Sequence, residues 1–186
     1  ELAQEIPVLN YHFMYEYPGG CNEDICLNIK IFEEQLKYLN DNNYKILTMD
    51  EFVKWKYGEL ELPKKSILLT FDDGAYGTNK NNGNYLIPII EKYNAYATLY
   101  LITSFWNIDD YISPNLEVQV HTHNLHNLIN NNYQMAISNY DEIRKDLETS
   151  LEIVKDNKSF AYPFYYHNQD AINALKVLGF KVSFVG

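Results

Sequence analysis

Two segments of this chain carry side chains whose types and spacing could do chemistry. Ile67-Leu68-Leu69-Thr70-Phe71-Asp72-Asp73-Gly74 runs apolar and stops abruptly on two carboxylates and a glycine. Leu116-Glu117-Val118-Gln119-Val120 leads into His121-Thr122-His123-Asn124-Leu125-His126, which holds three of the chain's five histidines. Adjacent carboxylates repel each other unless a cation or a shared proton relieves them. A metal with one aspartate as ligand and the other as base would do so. An ordinary strand followed by an Asp-Gly turn is the bland alternative for the first segment, and a His-rich polar loop for the second.

The histidine spacing constrains the backbone. His121 and His126 are five residues apart, about 140° around a straight helix, which would point them away from each other. On a continuous strand His121 and His123 would share one face and His126 would take the other. The segment therefore has to turn after the strand if His126 is to return toward His121. His123 is the rival ligand, since a His-x-His pair with Asp73 is also geometrically feasible.

The elements that would position these groups alternate along the chain. Ile6–Tyr11 reads as a strand, and Ile29–Leu39 as a helix with Phe32, Leu36 and Leu39 on one stripe. Thr48-Met49-Asp50-Glu51 has the pattern of a capping box and predicts a short helix through Trp55. Ser66–Phe71 is a buried strand. Asn84–Tyr93 is helical in pattern, and Pro88 places its start near Ile87 or bends it. Ala97–Leu101 and Leu116–Val120 are further strands. Asp141–Lys155 is a helix with Ile143, Leu147, Leu151 and Val154 on its apolar face. Strand Ser159–Tyr162, helix Ala171–Leu178 stopped by Gly179, and strand Lys181–Val185 complete the pattern. Alternating strands and helices pair in parallel through right-handed crossovers. The expectation is an α/β fold of about six to seven parallel strands, a distorted or incomplete (β/α) barrel rather than an open doubly wound sheet. No Gly-rich phosphate loop follows the first strand, which counts against a dinucleotide fold.

Composition narrows the partners. The chain has 186 residues, 46% of them hydrophobic, and a formal net charge of −10. That length suits a single domain over 1–186. Arg144 is the only arginine, and the acidic balance argues against a nucleic-acid partner, whose phosphates are neutralised by Lys and Arg. An acidic surface tolerates or attracts a cationic polymer. No apolar run reaches the ~18 residues of a membrane helix, and Glu1-Leu2-Ala3-Gln4 does not resemble a signal peptide. The oligomeric state is not legible. Cys21 and Cys26 are too far apart for a usual zinc pair and lack two further ligands nearby. They form either a small disulfide-closed loop, implying an oxidising extracellular compartment, or two free thiols. The 17 Tyr, 9 Phe and 2 Trp suit either a sugar-stacking surface or a Tyr-rich core.

Several motifs in order resemble a known family. Thr70-Phe71-Asp72-Asp73-Gly74 is similar to the first motif of the polysaccharide deacetylases, carbohydrate esterase family 4 or NodB-homology domains. His121-Thr122-x-x-x-His126 resembles their second motif with one extra residue, the form found in the subgroup acting on poly-β-1,6-N-acetylglucosamine. Ile6-Pro7-Val8-Leu9-Asn10-Tyr11-His12 resembles their first strand, Ala97-Thr98-Leu99-Tyr100 an inner strand, and Phe160-Ala161-Tyr162-Pro163-Phe164-Tyr165 the third motif. The resemblance spans nearly the whole chain. It implies a distorted barrel of the NodB type and an extracellular or cell-surface enzyme that removes N-acetyl groups from a glycan and releases acetate. Asp73, His121 and His126 would hold a divalent metal, zinc first, with cobalt, nickel or iron also compatible. Asp72 would be the general base and the Phe164 N–H an oxyanion donor, while His12, Tyr162, Pro163 and Tyr165 would line the substrate groove.

Three departures accompany the match. Ala161 stands where the family carries an arginine that orients the base. Tyr165 stands where a glycine usually follows the Pro-aromatic pair. The family's late histidine, its general acid, has no counterpart after His167, so the domain is expected to be truncated at its C-terminus or to use another acid. A catalytically impaired glycan-binding homologue and an O-acetyl esterase are the alternative readings.

Overall fold

The computed structural model describes residues 1–17, 21 and 24–185. Two compact units divide these residues: 1–99 with 109–117, and 100–108 with 118–185. Of the loop expected around the two cysteines, residues 18–20, 22 and 23 lie outside the described residues. Cys21 and Cys26 are joined as a disulfide, which decides between the two readings of that pair.

The first unit holds β1 (Val8–Tyr11), β2 (Phe13–Tyr15), β3 (Cys26–Asn28), α1 (Ile29–Asp41), β4 (Lys45–Ile46), α2 (Met49–Lys56), β5 (Ser66–Asp73) and α3 (Leu86–Lys92). It also takes the first residues of β6 (Ala97–Leu101) and β7 (Leu116–Val120). Strand β5 is buried from Ser66 through Asp72, as a strand covered on both faces must be. It pairs in parallel with β1, from Val8 opposite Leu68 to Tyr11 opposite Phe71, and with β4. The strand order runs β1-β5-β6-β7. Helix α1 begins at Asn28, whose side chain accepts from the Lys30 N–H, and buries the stripe Phe32, Leu36 and Leu39. Phe32 meets Phe71 edge-on at 5.6 Å and Tyr11 at 5.5 Å, so helix and strands lock through aromatic faces. The capping box forms at Thr48 and Glu51. Pro88 is the third residue of α3, where the missing N–H has no intrahelical acceptor to lose.

The second unit holds the last residues of β6 and β7, then β8 (Leu128–Ile129), β9 (Asn132–Tyr133), α4 (Gln134–Ile137), α5 (Tyr140–Val154), β10 (Ser159–Ala161), α6 (Gln169–Val177) and β11 (Val182–Phe184). Strand β10 pairs in parallel with both β7 and β11. Val120, Phe160, Tyr162, Ile143, Leu147, Ala171 and Leu175 form one buried core, with Leu151 and Val154 packed at its margin. Asn139 and Glu142 build a second capping box at the start of α5. Its Asn-x-x-Glu form differs from the Ser/Thr pattern that identified the first. The hairpin β8–β9 was not legible as strands of two residues each. Its turn residues Asn130 and Asn131 both have positive φ, 49° and 63°, the geometry of a two-residue type I′ turn.

Candidate active site

The carboxylate half of the site belongs to the first unit. Strand β5 carries on two residues past its expected end, so Asp72 and Asp73 are its last two positions. Adjacent side chains on a regular strand leave opposite faces, and the φ of 77° at Asp73 breaks that alternation. Asp72 is buried, and Oδ2 stands 3.8 Å from His12 Nε2. Asp73 is half-buried. The turn that follows is held from behind: Asn79 Nδ2 donates to the Tyr111 hydroxyl at 3.0 Å, and that hydroxyl donates to the Gly74 carbonyl at 2.6 Å. Burial pushes the Tyr111 pKa up, which keeps the hydroxyl a donor. Gly77 allows the returning chain to approach β2: a Cβ there would lie 2.4 Å from the Met14 carbonyl oxygen, and its φ is 88°. The Met14 N–H in turn donates to the Tyr76 carbonyl at 3.0 Å. These contacts fix the backbone two residues from His12.

The histidine half belongs to the second unit and makes the turn that the spacing required. Thr122, buried, has φ 70°, and the His121 and His126 rings come to 4.9 Å between centroids. His121 Nδ1 is 2.7 Å from the Ala161 carbonyl oxygen. A carbonyl can only accept, so Nδ1 carries the proton and Nε2 is the nitrogen left for a ligand. His123, the rival, has its Nδ1 3.0 Å from Thr103 Oγ1, itself 2.9 Å from Ser150 Oγ. The carboxylate of Asp146, on α5, accepts the backbone N–H groups of His123 and Asn124, both at 2.7 Å. Burial pushes the Asp146 carboxyl above the usual carboxylate range, and the two N–H donors pull it part of the way back.

The third segment is a short 3₁₀ turn, Pro163–Tyr165, in which Phe164 and Tyr165 have φ 53° and 63°. Two successive non-glycine residues in this region cost of order 1–3 kcal/mol each. The Tyr165 and Tyr166 N–H groups donate to the Tyr162 and Pro163 carbonyls. Phe164 stacks on His126 at 4.4 Å and on Tyr133 at 4.6 Å, and Tyr133 stacks on Tyr166 at 4.5 Å. Tyr162 is 3% exposed and belongs to the core; Pro163 is buried as well. Of the three expected groove residues in this segment, only Tyr165 is exposed. His167 is exposed, its ring 5.1 Å from Tyr162.

The structure thus brings His12 to Asp72, and His121 to His126 and Phe164. Sequence reasoning missed Tyr111, Asp146, Tyr133 and Tyr166. Only the Asn130-Asn131 pair, a turn signal flanked by Leu-Ile and Asn-Tyr, could have pointed to Tyr133 as a strand residue. Asp146 sits beside Leu147 on an otherwise ordinary amphipathic helix and gives no signal of its own.

Comparison with known proteins adds three findings. A family model described as "Polysaccharide deacetylase" matches residues 59–183. The poly-β-1,6-N-acetyl-D-glucosamine N-deacetylase of Staphylococcus aureus is 32% identical over 174 residues, covering 82% of this chain and 58% of the relative. The chain therefore spans somewhat over half the length of the curated relatives it matches. Among solved structures, the Streptococcus pyogenes deacetylase PplD in complex with acetate has a TM-score of 0.79 at 23% identity, covering 97% of this chain and 83% of that one. IcaB from Ammonifex degensii has a TM-score of 0.79 at 18% identity, covering 98% and 85%. Likeness at such identity shows the fold alone, and it is the incomplete (β/α) barrel with parallel strands that the sequence led us to expect.

Proposed function

The chain belongs to the polysaccharide deacetylase family, and on that premise we propose that it hydrolyses N-acetyl groups of a poly-β-1,6-N-acetylglucosamine chain. The substrate follows the curated relative's name and the five-residue spacing of His121 and His126. The observation that carries the reading is the convergence of those two imidazoles across a left-handed Thr122, with Nδ1 of His121 tied to a carbonyl. A histidine held this way presents the other nitrogen as a ligand.

The donor set fits a divalent metal: Asp73, His121 and His126 would hold it. Two imidazoles and a carboxylate accept zinc, cobalt, nickel or iron. When bound, such an ion polarises the acetyl carbonyl and lowers the pKa of water to about 7. The remaining work falls to the chain's own groups. Asp72 takes the proton of the attacking water. The Phe164 N–H holds the oxyanion as water adds to the carbonyl carbon; losing such a donor typically costs about 10²–10³ in rate. His12, 3.8 Å from Asp72, is the protonatable group placed to protonate the departing amine as the C–N bond breaks, leaving acetate and a glucosamine amine. It is also a close neighbour of the buried Asp72, on a site where Ala161 replaces the family's base-orienting arginine. This pairing favours an active enzyme over an impaired glycan binder. The disulfide supports an extracellular or cell-surface setting.

Acetate release from synthetic β-1,6-linked N-acetylglucosamine oligomers tests the reading. The metal-loaded chain should release acetate, and Asp72→Asn should lower the rate by roughly 10²–10⁴ while keeping the metal. Activity on an O-acetylated xylan with none on the N-acetyl oligomers would replace this reading with the esterase.

A further inference from the structure

The rings around His126 do not end at the site. Phe164 meets both His126 and Tyr133, and Tyr133 meets both Phe164 and Tyr166, with centroid separations of 4.4, 4.6 and 4.5 Å and interplanar angles of 36°, 29° and 30°. Phe164 and Tyr133 thus each pack against two neighbouring rings. Tyr166 ends the column, and it is 54% exposed. Its ring stacks on Tyr133, and its N–H donates to the Pro163 carbonyl at 3.1 Å.

The geometry points to Tyr166 as a stacking subsite for a pyranose ring of the glycan chain, away from the residue that loses its acetyl group. The inference rests on the reading of His126 as part of the reacting site. Pyranoses present one face of axial C–H bonds that packs on an aromatic plane, while their hydroxyls remain in water. A ring already pinned on one side gives up little freedom when a sugar covers the other, which is the condition for an effective contact. The column is built at a cost: the turn that delivers it keeps Phe164 and Tyr165 at positive φ, and strain of this kind persists where the surroundings hold it for use. A polymer is the fitting occupant because the exposed Tyr166 is three ring contacts removed from His126, so a chain longer than the reacting unit is needed to engage both. The formal charge of −10 disfavours an anionic polysaccharide and suits a chain acquiring free amines.

The test is titration calorimetry with a β-1,6-linked N-acetylglucosamine pentamer and the corresponding dimer. Both are titrated into the metal-loaded chain in an Asp72→Asn background, which prevents turnover. Tyr166→Ala should weaken pentamer binding by about 3- to 10-fold, the range of an aromatic stacking contact, and leave the dimer unchanged. Tyr166→Phe should restore the pentamer, since the ring and not the hydroxyl makes the contact. Unaltered dimer affinity in Tyr166→Ala also shows that the site has kept its shape. Equal weakening of dimer and pentamer, unchanged pentamer binding, or no pentamer binding in the background itself would overturn the subsite. Pentamer binding that depends on Tyr166, in a protein whose wild type releases no acetate, would support the subsite and remove the deacetylase reading.

Discussion

At the scale of single residues, left-handed backbone recurs at the proposed site. Asp73, Thr122, Phe164 and Tyr165 all have positive φ, and each lies in one of the three motifs that resemble the family. Tyr165 is the one at which the chain departs from the usual glycine. A glycine would adopt its φ of 63° without a Cβ penalty. Tyr165→Gly should therefore raise stability by roughly 0.5–1 kcal/mol in urea unfolding, even though it removes a half-exposed aromatic ring. Destabilisation instead would mean that Tyr165 packing outweighs the strain. Residue type and clustering drew attention to Asp72, Asp73, His121, His123 and His126, while the choice of His126 over His123 came from the family resemblance. The conformations that bring them together were not legible. A positive φ at threonine or phenylalanine is imposed by tertiary contacts, such as the His121–Ala161 hydrogen bond, and leaves no local trace.

At the scale of elements, the histidine loop is shaped by a helix that contributes no ligand. Asp146 of α5 accepts from His123 and Asn124 and so fixes the loop between His121 and His126. Its pKa is raised in the fold, mainly by burial. A group raised in the folded state contributes stability that is fully present below its unfolded pKa, about 3.9, and lost as pH rises through its folded value. The stability of the wild type relative to Asp146→Asn should accordingly be greater near pH 3.5 than at pH 7 in metal-free buffer. Urea titrations at the two pH values check it; a relative stability that grows with pH would mean that the two N–H donors outweigh burial. Periodicity made the elements themselves readable. Strands Ala97–Leu101 and Leu116–Val120 and the stripe Phe32, Leu36 and Leu39 appear at the expected positions. Short pieces such as β8 and β9, two residues each, have no period to read, and they are what delivers Tyr133 to the ring column.

At the scale of the whole molecule, alternating strands and helices were enough to specify parallel pairing and the barrel type of sheet. The division of the described residues into two units was not foreseen. Its boundary falls within β6 and β7, where no Pro, Gly or Ser-rich linker marks the sequence. The Cys21–Cys26 disulfide closes a loop with a sequence separation of 5. In the chain-entropy account a loop this short contributes roughly 2 kcal/mol. Reduction should lower the unfolding free energy by about that amount, and an unchanged value would show that the unfolded loop is already constrained. Among the described residues no helix is long and apolar enough to cross a membrane.

One bound ion is central to the proposed chemistry. Metal content of the purified chain, measured by mass spectrometry after loading with zinc and desalting, should be about one per molecule in the wild type. It should fall to near zero in Asp73→Ala while the circular dichroism stays native. A wild type that retains no divalent ion, or an Asp73→Ala variant that keeps a full equivalent, would contradict the central claim that Asp73, His121 and His126 hold the catalytic metal.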